Sequence, residues 1–213
     1  MDFPELRGQL TEIVEELYRE KLITATGGNV SLRLPDGQGF LITPSMMYKG
    51  ALKPETMVLL GPEGDPLDRK IRPSIETAMH LKVYEVNPKV GAVIHTHAPY
   101  ATIVGLYDNL AIPPFTIESL RFAALPVVPF CMPGSSELVE TVAAVIENNP
   151  QVQALLLRNH GLLTLGRDLR QAANVSMALE EACHMAITCS LLGEEPCSIP
   201  EDKQAILKQF LAL

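Results

Sequence analysis

The sequence is poor in the features that mark several large classes of protein. Its four cysteines, Cys131, Cys183, Cys189 and Cys197, form no C-x-x-C pair. They read as reduced, mostly buried thiols of a cytoplasmic protein, not as a disulfide framework. Positive charge is scarce: 17 Lys and Arg stand against 25 Asp and Glu, a formal net charge of −8. That balance disfavours nucleic acid as a partner. It leaves room for an anionic small-molecule substrate, since a few local donors suffice for one phosphate. The start, Met1-Asp2-Phe3-Pro4-Glu5, lacks the apolar core of a secretion signal, and no uninterrupted apolar run is long enough to span a bilayer. No membrane partner is therefore expected. Repeats, low-complexity tracts and linkers are missing too, so residues 1–213 read as a single domain.

What is present is apolar content, at 47% of residues, enough for a sizeable core. Its densest expression is Val90–Tyr100, V-G-A-V-I-H-T-H-A-P-Y. An apolar, β-branched run of that length predicts a buried strand. Side chains alternate along a strand, so His95 and His97 share a face. Two imidazoles on one face at a strand end are half of a metal site. Taken alone, the same spacing more often means one core histidine and one solvated one.

Upstream, Leu6, Leu10, Ile13, Val14, Leu17 and Leu22 recur at helical spacing, predicting a helix from Pro4 to Leu22. Thr24–Asn29 is a loop whose paired glycines, Gly27 and Gly28, leave backbone N–H groups free; it is either an anion cradle or a plain turn. Val30–Leu34 and Gly39–Ile42 flank the turn Pro35-Asp36-Gly37 and predict a hairpin. Met57–Leu60 is a third strand. A helix then opens at Ser74, its expected N-cap, with Glu76 in the first turn and Ile75, Met79, Val83 and Val86 on the apolar stripe. Tyr48, Lys49 and Lys53 read as surface.

Downstream of the histidines, Pro99–Leu106 and Phe115–Leu125 are expected helices, and Pro126–Phe130 a proline-marked edge strand. Ser135–Asn148 is an amphipathic helix. Val152–Leu157 and Leu162–Leu165 predict a hairpin with His160 at its mouth. Leu169–Leu192 and Glu201–Leu213 close the chain as helices. His95, His97 and His160 with Glu76 make a set of three nitrogens and one oxygen that suits a catalytic zinc; manganese, cobalt and iron share such ligands. His80, one helical turn after Glu76, is a candidate to support it from behind. His184 reads as structural, and Tyr100 reads equally as a pocket-lining or a packing residue.

The order of the short motifs is more specific than any one of them. G-G-N-V-S at Gly27–Ser31, L-I-T-P-S at Leu41–Ser45, P-S-I-E at Pro73–Glu76, H-T-H-A-P-Y at His95–Tyr100 and N-H-G-L at Asn159–Leu162 follow one another. Together they resemble the class II aldolase/adducin family, in its fuculose-phosphate aldolase-like form. The resemblance implies an α/β domain with a central, mostly antiparallel sheet flanked by helices. It implies zinc ligands at His95, His97 and His160, and Glu76 as fourth ligand and acid/base. Gly28, Asn29, Ser45 and Ser74 match positions that hold the substrate's phosphate. It further implies a homotetramer with the site between subunits, and retro-aldol cleavage of a sugar phosphate or related hydroxy-ketone through a metal-stabilised enediolate. Decarboxylation, dehydration and 4-epimerisation use the same chemistry and are the alternatives. A non-catalytic, adducin-like assembly role is opposed by retention of the whole ligand set. A TIM-barrel hydrolase is opposed by the lack of eight strand–helix repeats.

The chain departs from the phosphate-aldolase pattern in places. Ser45-Met46 stands where that pattern has Thr-Gly, and Ser74-Ile75 where it has two serines. Ile117, beside Thr116 and Glu118, falls where the aldolase carries a tyrosine near the leaving aldehyde. Glu118 is the remaining candidate for a proton donor there.

Overall fold

The structure, a computed structural model, describes residues 3–68, 70–108, 110–193 and 196–210. Among them lie seven strands, β1 (Asn29–Arg33), β2 (Phe40–Ile42), β3 (Val58–Leu60), β4 (Ala92–Thr96), β5 (Val127–Val128), β6 (Ala154–Leu157) and β7 (Gly161–Gly166). They form one sheet in the order β3-β2-β1-β4-β7-β6-β5. Every neighbouring pair is antiparallel except β5 with β6. Six helices accompany it: α1 (Pro4–Arg19), α2 (Thr77–Val86), α3 (Pro99–Gly105), α4 (Ser136–Asn148), α5 (Leu169–Leu192) and α6 (Glu201–Phe210).

The sheet is buried on both faces, which is why its central strands read as continuous apolar runs and not as alternating ones. Even-numbered positions Val30, Leu32, Ile94, Leu156 and Leu162 pack into one core with α1, α3 and α5. Their neighbours Val93, Leu155, Leu163 and Leu165 pack into a second core with Met79 and Val83 of α2 and Leu138 and Val142 of α4. His95 shares the parity of Val93, so its ring faces the α2 side. Asn29 and Ser31 of β1 do the same, by alternation with Val30.

Helix α5 is apolar and long enough to cross a membrane by composition. One face of it packs into the core, with Ala172, Val175, Leu179 and Cys183 buried, and it lies against β7, β4 and α3. Side-chain caps set two helix starts: Ser135 accepts from the backbone N–H of Leu138, and Asp168 from that of Gln171. Both margins of the sheet are short. Residues beyond β3 fold back on it, Leu67 donating to the carbonyl of Leu59, and β5 is two residues bracketed by Pro126 and Pro129.

Several expected boundaries move. Helix α1 ends at Arg19, and Leu22 and Ile23 are buried from the following loop instead. Helix α2 starts at Thr77, with Glu76 as its N-cap residue, so Ser74 does not cap it. Ile75 is 68% exposed and leaves the apolar stripe. The expected helix over Phe115–Leu125 shrinks to a single 3-10 turn, Ser119–Phe122. Thr116 and Ser119 take each other's backbone N–H groups with their hydroxyls, which competes with helix propagation. The last helix is described as far as Phe210; Leu211, Ala212 and Leu213 of the expected span lie outside the described residues.

Candidate metal centre

Three chain segments deliver the histidines to one point. His95 is the penultimate residue of β4, completely buried between β1 and β7. Its Nδ1 lies 3.1 Å from the carbonyl of Leu162. A carbonyl only accepts, so Nδ1 carries the proton and Nε2 offers its lone pair inward. A backbone carbonyl behind the ring is the usual way a metal-binding histidine is held in one tautomer. His97 follows the strand, its backbone N–H donating to the carbonyl of Leu22. Its Nε2 stands 3.1 Å from His95 Nε2. His160 comes from the tight β6–β7 turn, where Asn159 adopts a left-handed φ of 57° and the N–H of His160 donates to the carbonyl of Leu157. Gly161 then begins β7 so close to β4 that a Cβ would sit 2.2 Å from the carbonyl oxygen of Thr96.

Ligand atoms of His95, His97 and His160 all fall within 4.8 Å of one another. Glu76 closes the group from the α2 side. Its Oε2 is 3.4 Å from His95 Nε2 and its Oε1 is 3.4 Å from His160 Nε2. Burial pushes the His95 pKa well below its ordinary value, and the neighbouring His160 and His97 add to the shift. Burial and His160 lower that of His97 as well. Neutral rings with inward lone pairs are what a cation requires.

The donor set therefore fits a divalent metal. Glu76 Oε1 and His160 Nδ1 are buried and have no hydrogen-bond partner among the described residues. A buried polar atom without a partner is expensive. Coordination would satisfy the carboxylate oxygen and explain why two Nε2 atoms approach as closely as they do. All four expected ligands are brought together.

The four residues matched to phosphate positions are gathered beside the centre. Asn29 pairs with His95 across the β1–β4 ladder, and Gly28 precedes it at φ 83°. A Cβ on Gly28 would meet Ile23 at 2.5 Å, so only glycine fits. Ser45 and Ser74 lie on segments bridged at Pro44 and Pro73, with Ser74 N–H donating to the carbonyl of Thr43. Ser74 Oγ accepts from the N–H of Glu76. Met46 is 78% exposed at a left-handed φ of 55°. Glu118 is exposed at the start of its 3-10 turn, as is Ile117 beside it.

Some features escape sequence reading. Lys49 is buried, with Nζ donating to the carbonyl of Pro44, where a surface residue is expected. The surrounding Met46-Met47-Tyr48 and Ala51-Leu52 are apolar but carry no periodicity that marks the lysine itself as buried. Glu180 of α5 accepts from the backbone N–H groups of Tyr100 and Ala101 at 2.9 and 2.8 Å. It thereby satisfies the first turn of α3, directly after His97. His184 stacks on Tyr100 at 4.1 Å, in line with a packing role for both. His80 sits behind Glu76, as its helical spacing suggests.

This sheet and this convergent histidine–carboxylate set define the protein's class. Residues 8–187 match the family described as Class II Aldolase and Adducin N-terminal domain. The chain belongs to that family. It is 34% identical over 196 residues to 3-oxo-tetronate 4-phosphate decarboxylase of Escherichia coli O6:H1, covering 90% of this chain and 89% of the relative. It is 33% identical over 180 residues to L-fuculose phosphate aldolase of Methanococcus maripaludis strain S2, covering 83% and 93%. Among solved structures it is similar to YgbL from Escherichia coli, named for an unresolved aldolase/epimerase/decarboxylase activity. The TM-score is 0.84 at 31% identity, covering 96% of this chain and 98% of that one.

Proposed function

We propose that this chain is a metal-dependent carbon–carbon lyase acting on a small phosphorylated compound that carries a hydroxyl beside, or a carboxylate beyond, a ketone. The observation that carries the reading is the meeting of three imidazoles with a buried carboxylate oxygen that has no hydrogen-bond partner among the described residues. His95, His97 and His160 hold the ion, and Glu76 serves as fourth ligand and as the proton carrier. Zinc suits the set; manganese, cobalt and iron remain alternatives for metal analysis. When bound, the cation supplies Lewis acidity toward the carbonyl oxygen.

Gly28, Asn29, Ser45 and Ser74 bind the phosphate in this reading, with backbone N–H groups and two hydroxyls. Of the reactions the relatives carry, decarboxylation of a 3-oxo acid phosphate is favoured. In that reaction the bond to the carboxylate breaks, its electron pair passes into the ketone, carbon dioxide leaves, and the enolate carbon takes one proton. One proton carrier, Glu76, is enough. Retro-aldol cleavage needs a further group at the leaving aldehyde, and the position expected for it holds exposed Ile117. The retro-aldol reaction is the second reading, supported by the aldolase relative.

Four free cysteines, two of them buried, are in keeping with a reducing, cytoplasmic setting. A homotetramer with a shared site is the assembly the family resemblance implies, and light scattering in solution checks it. The deciding experiment is metal analysis of the purified protein, followed by incubation with 3-oxo-tetronate 4-phosphate and with fuculose 1-phosphate. Carbon dioxide from the first supports the decarboxylase; aldehyde from the second supports the aldolase. A metal-free protein that releases neither when zinc is added overturns the reading.

A further inference from the structure

A chain of buried hydrogen bonds runs from α2 back into the metal centre, and each of its links has a forced direction. Tyr84 hydroxyl lies 2.7 Å from Ser31 Oγ, and Ser31 Oγ lies 2.7 Å from His80 Nδ1. His80 Nε2 lies 2.6 Å from Asn29 Oδ1, and Asn29 Nδ2 donates to Glu76 Oε2 at 2.7 Å. All five side chains are buried, His80 to 1% exposure.

The carboxylate end fixes the polarity. Glu76 can only accept when ionised, so the Asn29 amide nitrogen must face it and the amide oxygen must face His80. That oxygen also only accepts, so His80 carries its proton on Nε2. Nδ1 is then an acceptor, Ser31 donates to it, and Tyr84 donates to Ser31. Donors point one way along the whole path, an arrangement in which each bond polarises the next.

We propose that His80 is a positioning residue: through Asn29 it fixes the rotamer of Glu76, anchoring Oε2 and leaving Oε1 as the atom presented toward His160. The inference rests on the reading of Glu76 as metal ligand and proton carrier. Its content is that His80 acts on the metal without touching it, and that the Asn29 amide is spent mainly on Glu76. Glu76 has three side-chain torsions, and among the described residues the Asn29 amide is the side-chain donor on its Oε2. Without the amide, nothing selects one oxygen over the other.

The test uses Co2+ as probe, with affinity taken from chelator competition and geometry from the visible absorption of the bound ion. Replacing a group behind a metal ligand commonly weakens binding about ten- to hundred-fold. His80→Phe removes both links and is expected to weaken Co2+ binding by at least about ten-fold and to alter the spectrum. His80→Gln keeps a donor toward Asn29 and an acceptor toward Ser31. It should stay within about three-fold of the parent, far from the ten-fold loss. Asn29→Leu should match His80→Phe, and the double variant should be no weaker than Asn29→Leu alone, because both break one path. Should His80→Phe fail to fold, Ser31→Ala breaks the path one link further out, and the same cycle is run with it. Parent-like Co2+ binding in His80→Phe, or losses that add in the double variant, would overturn the positioning role. A parent protein that binds no divalent ion would instead sink the proposed function itself.

Discussion

Gly27 lies against the ring of His97 so closely that a Cβ on the glycine would sit 2.7 Å from Nδ1. Alanine at 27 must therefore displace the ring, whose other side is committed to His95 and His160. Gly27→Ala is expected to weaken Zn2+ binding by at least about ten-fold, the scale of a misplaced ligand support. Gly8→Ala is the control, since nothing lies within 4 Å of a Cβ there. It should bind as the parent does and be more stable by about 0.5–1 kcal/mol, as expected for a helical site. Equal affinities for Gly27→Ala and the parent would remove the steric argument.

Glu180 fastens the start of α3 with two charge-assisted bonds to backbone N–H groups. Glu180→Ala leaves both donors without their partner in a half-buried place. The expected loss is about 2–3 kcal/mol, read as a lower midpoint in urea unfolding. A change under about 0.5 kcal/mol would mean that water replaces the carboxylate freely.

Lys49 carries a buried ammonium that donates to the carbonyl of Pro44, and burial brings its pKa down from 10.5 to about 8. Below pH 8 folded and unfolded chains both hold the proton, and the burial penalty is present in full. Between pH 8 and 10.5 the unfolded chain keeps the proton while the folded one releases it, so this contribution to stability rises with pH. Lys49→Met removes the penalty. It should raise stability at pH 7 by roughly 1–3 kcal/mol and flatten the rise across the alkaline range. Parallel stability curves for the two proteins from pH 7 to 10 would refute this.

In the proposed site, metal removal should loosen the molecule as a whole, because the four side chains come from the N-cap of α2, from β4 and the residue after it, and from the β6–β7 turn. Dialysis against a chelator is expected to lower Tm, and added Zn2+ to restore it in a concentration-dependent way. At one hundred times Kd the gain is about 2.7 kcal/mol. A melting curve indifferent to chelator and metal would argue against a site formed by those side chains.

Much of the candidate centre is legible in the chain because the side chains that meet there sit at elements with strong local signals. The apolar run before His95 marks a buried strand, and strand parity alone puts His95 and His97 on one side. The turn at Asn159 brings His160 to the mouth of a hairpin, as its flanking apolar runs imply. The sequence is silent where tertiary pairing decides. Ser74 and Ile75 look like a helix start until the bridge between Pro44 and Pro73 holds that segment extended. Phe115–Leu125 has the length and apolarity of a helix, but two hydroxyls prefer each other's backbone. Asn29 matches a phosphate-binding position by motif, while its side chain turns inward to His80 and Glu76, a choice that only the neighbouring strand and helix reveal.

The sheet's margins have a consequence for how copies of this chain can meet. On one side, the fold-back after β3 occupies the outward carbonyl of Leu59. On the other, β5 bonds to β6 through the carbonyls of Pro126 and Val128. Val127 alone then turns a peptide N–H outward, and Pro129, of the same parity, has none to give. Neither border offers a ladder on which a foreign strand could grow. Self-association, whatever its stoichiometry, is left to side-chain contacts between helices and loops, and runaway stacking of sheets is disfavoured by construction.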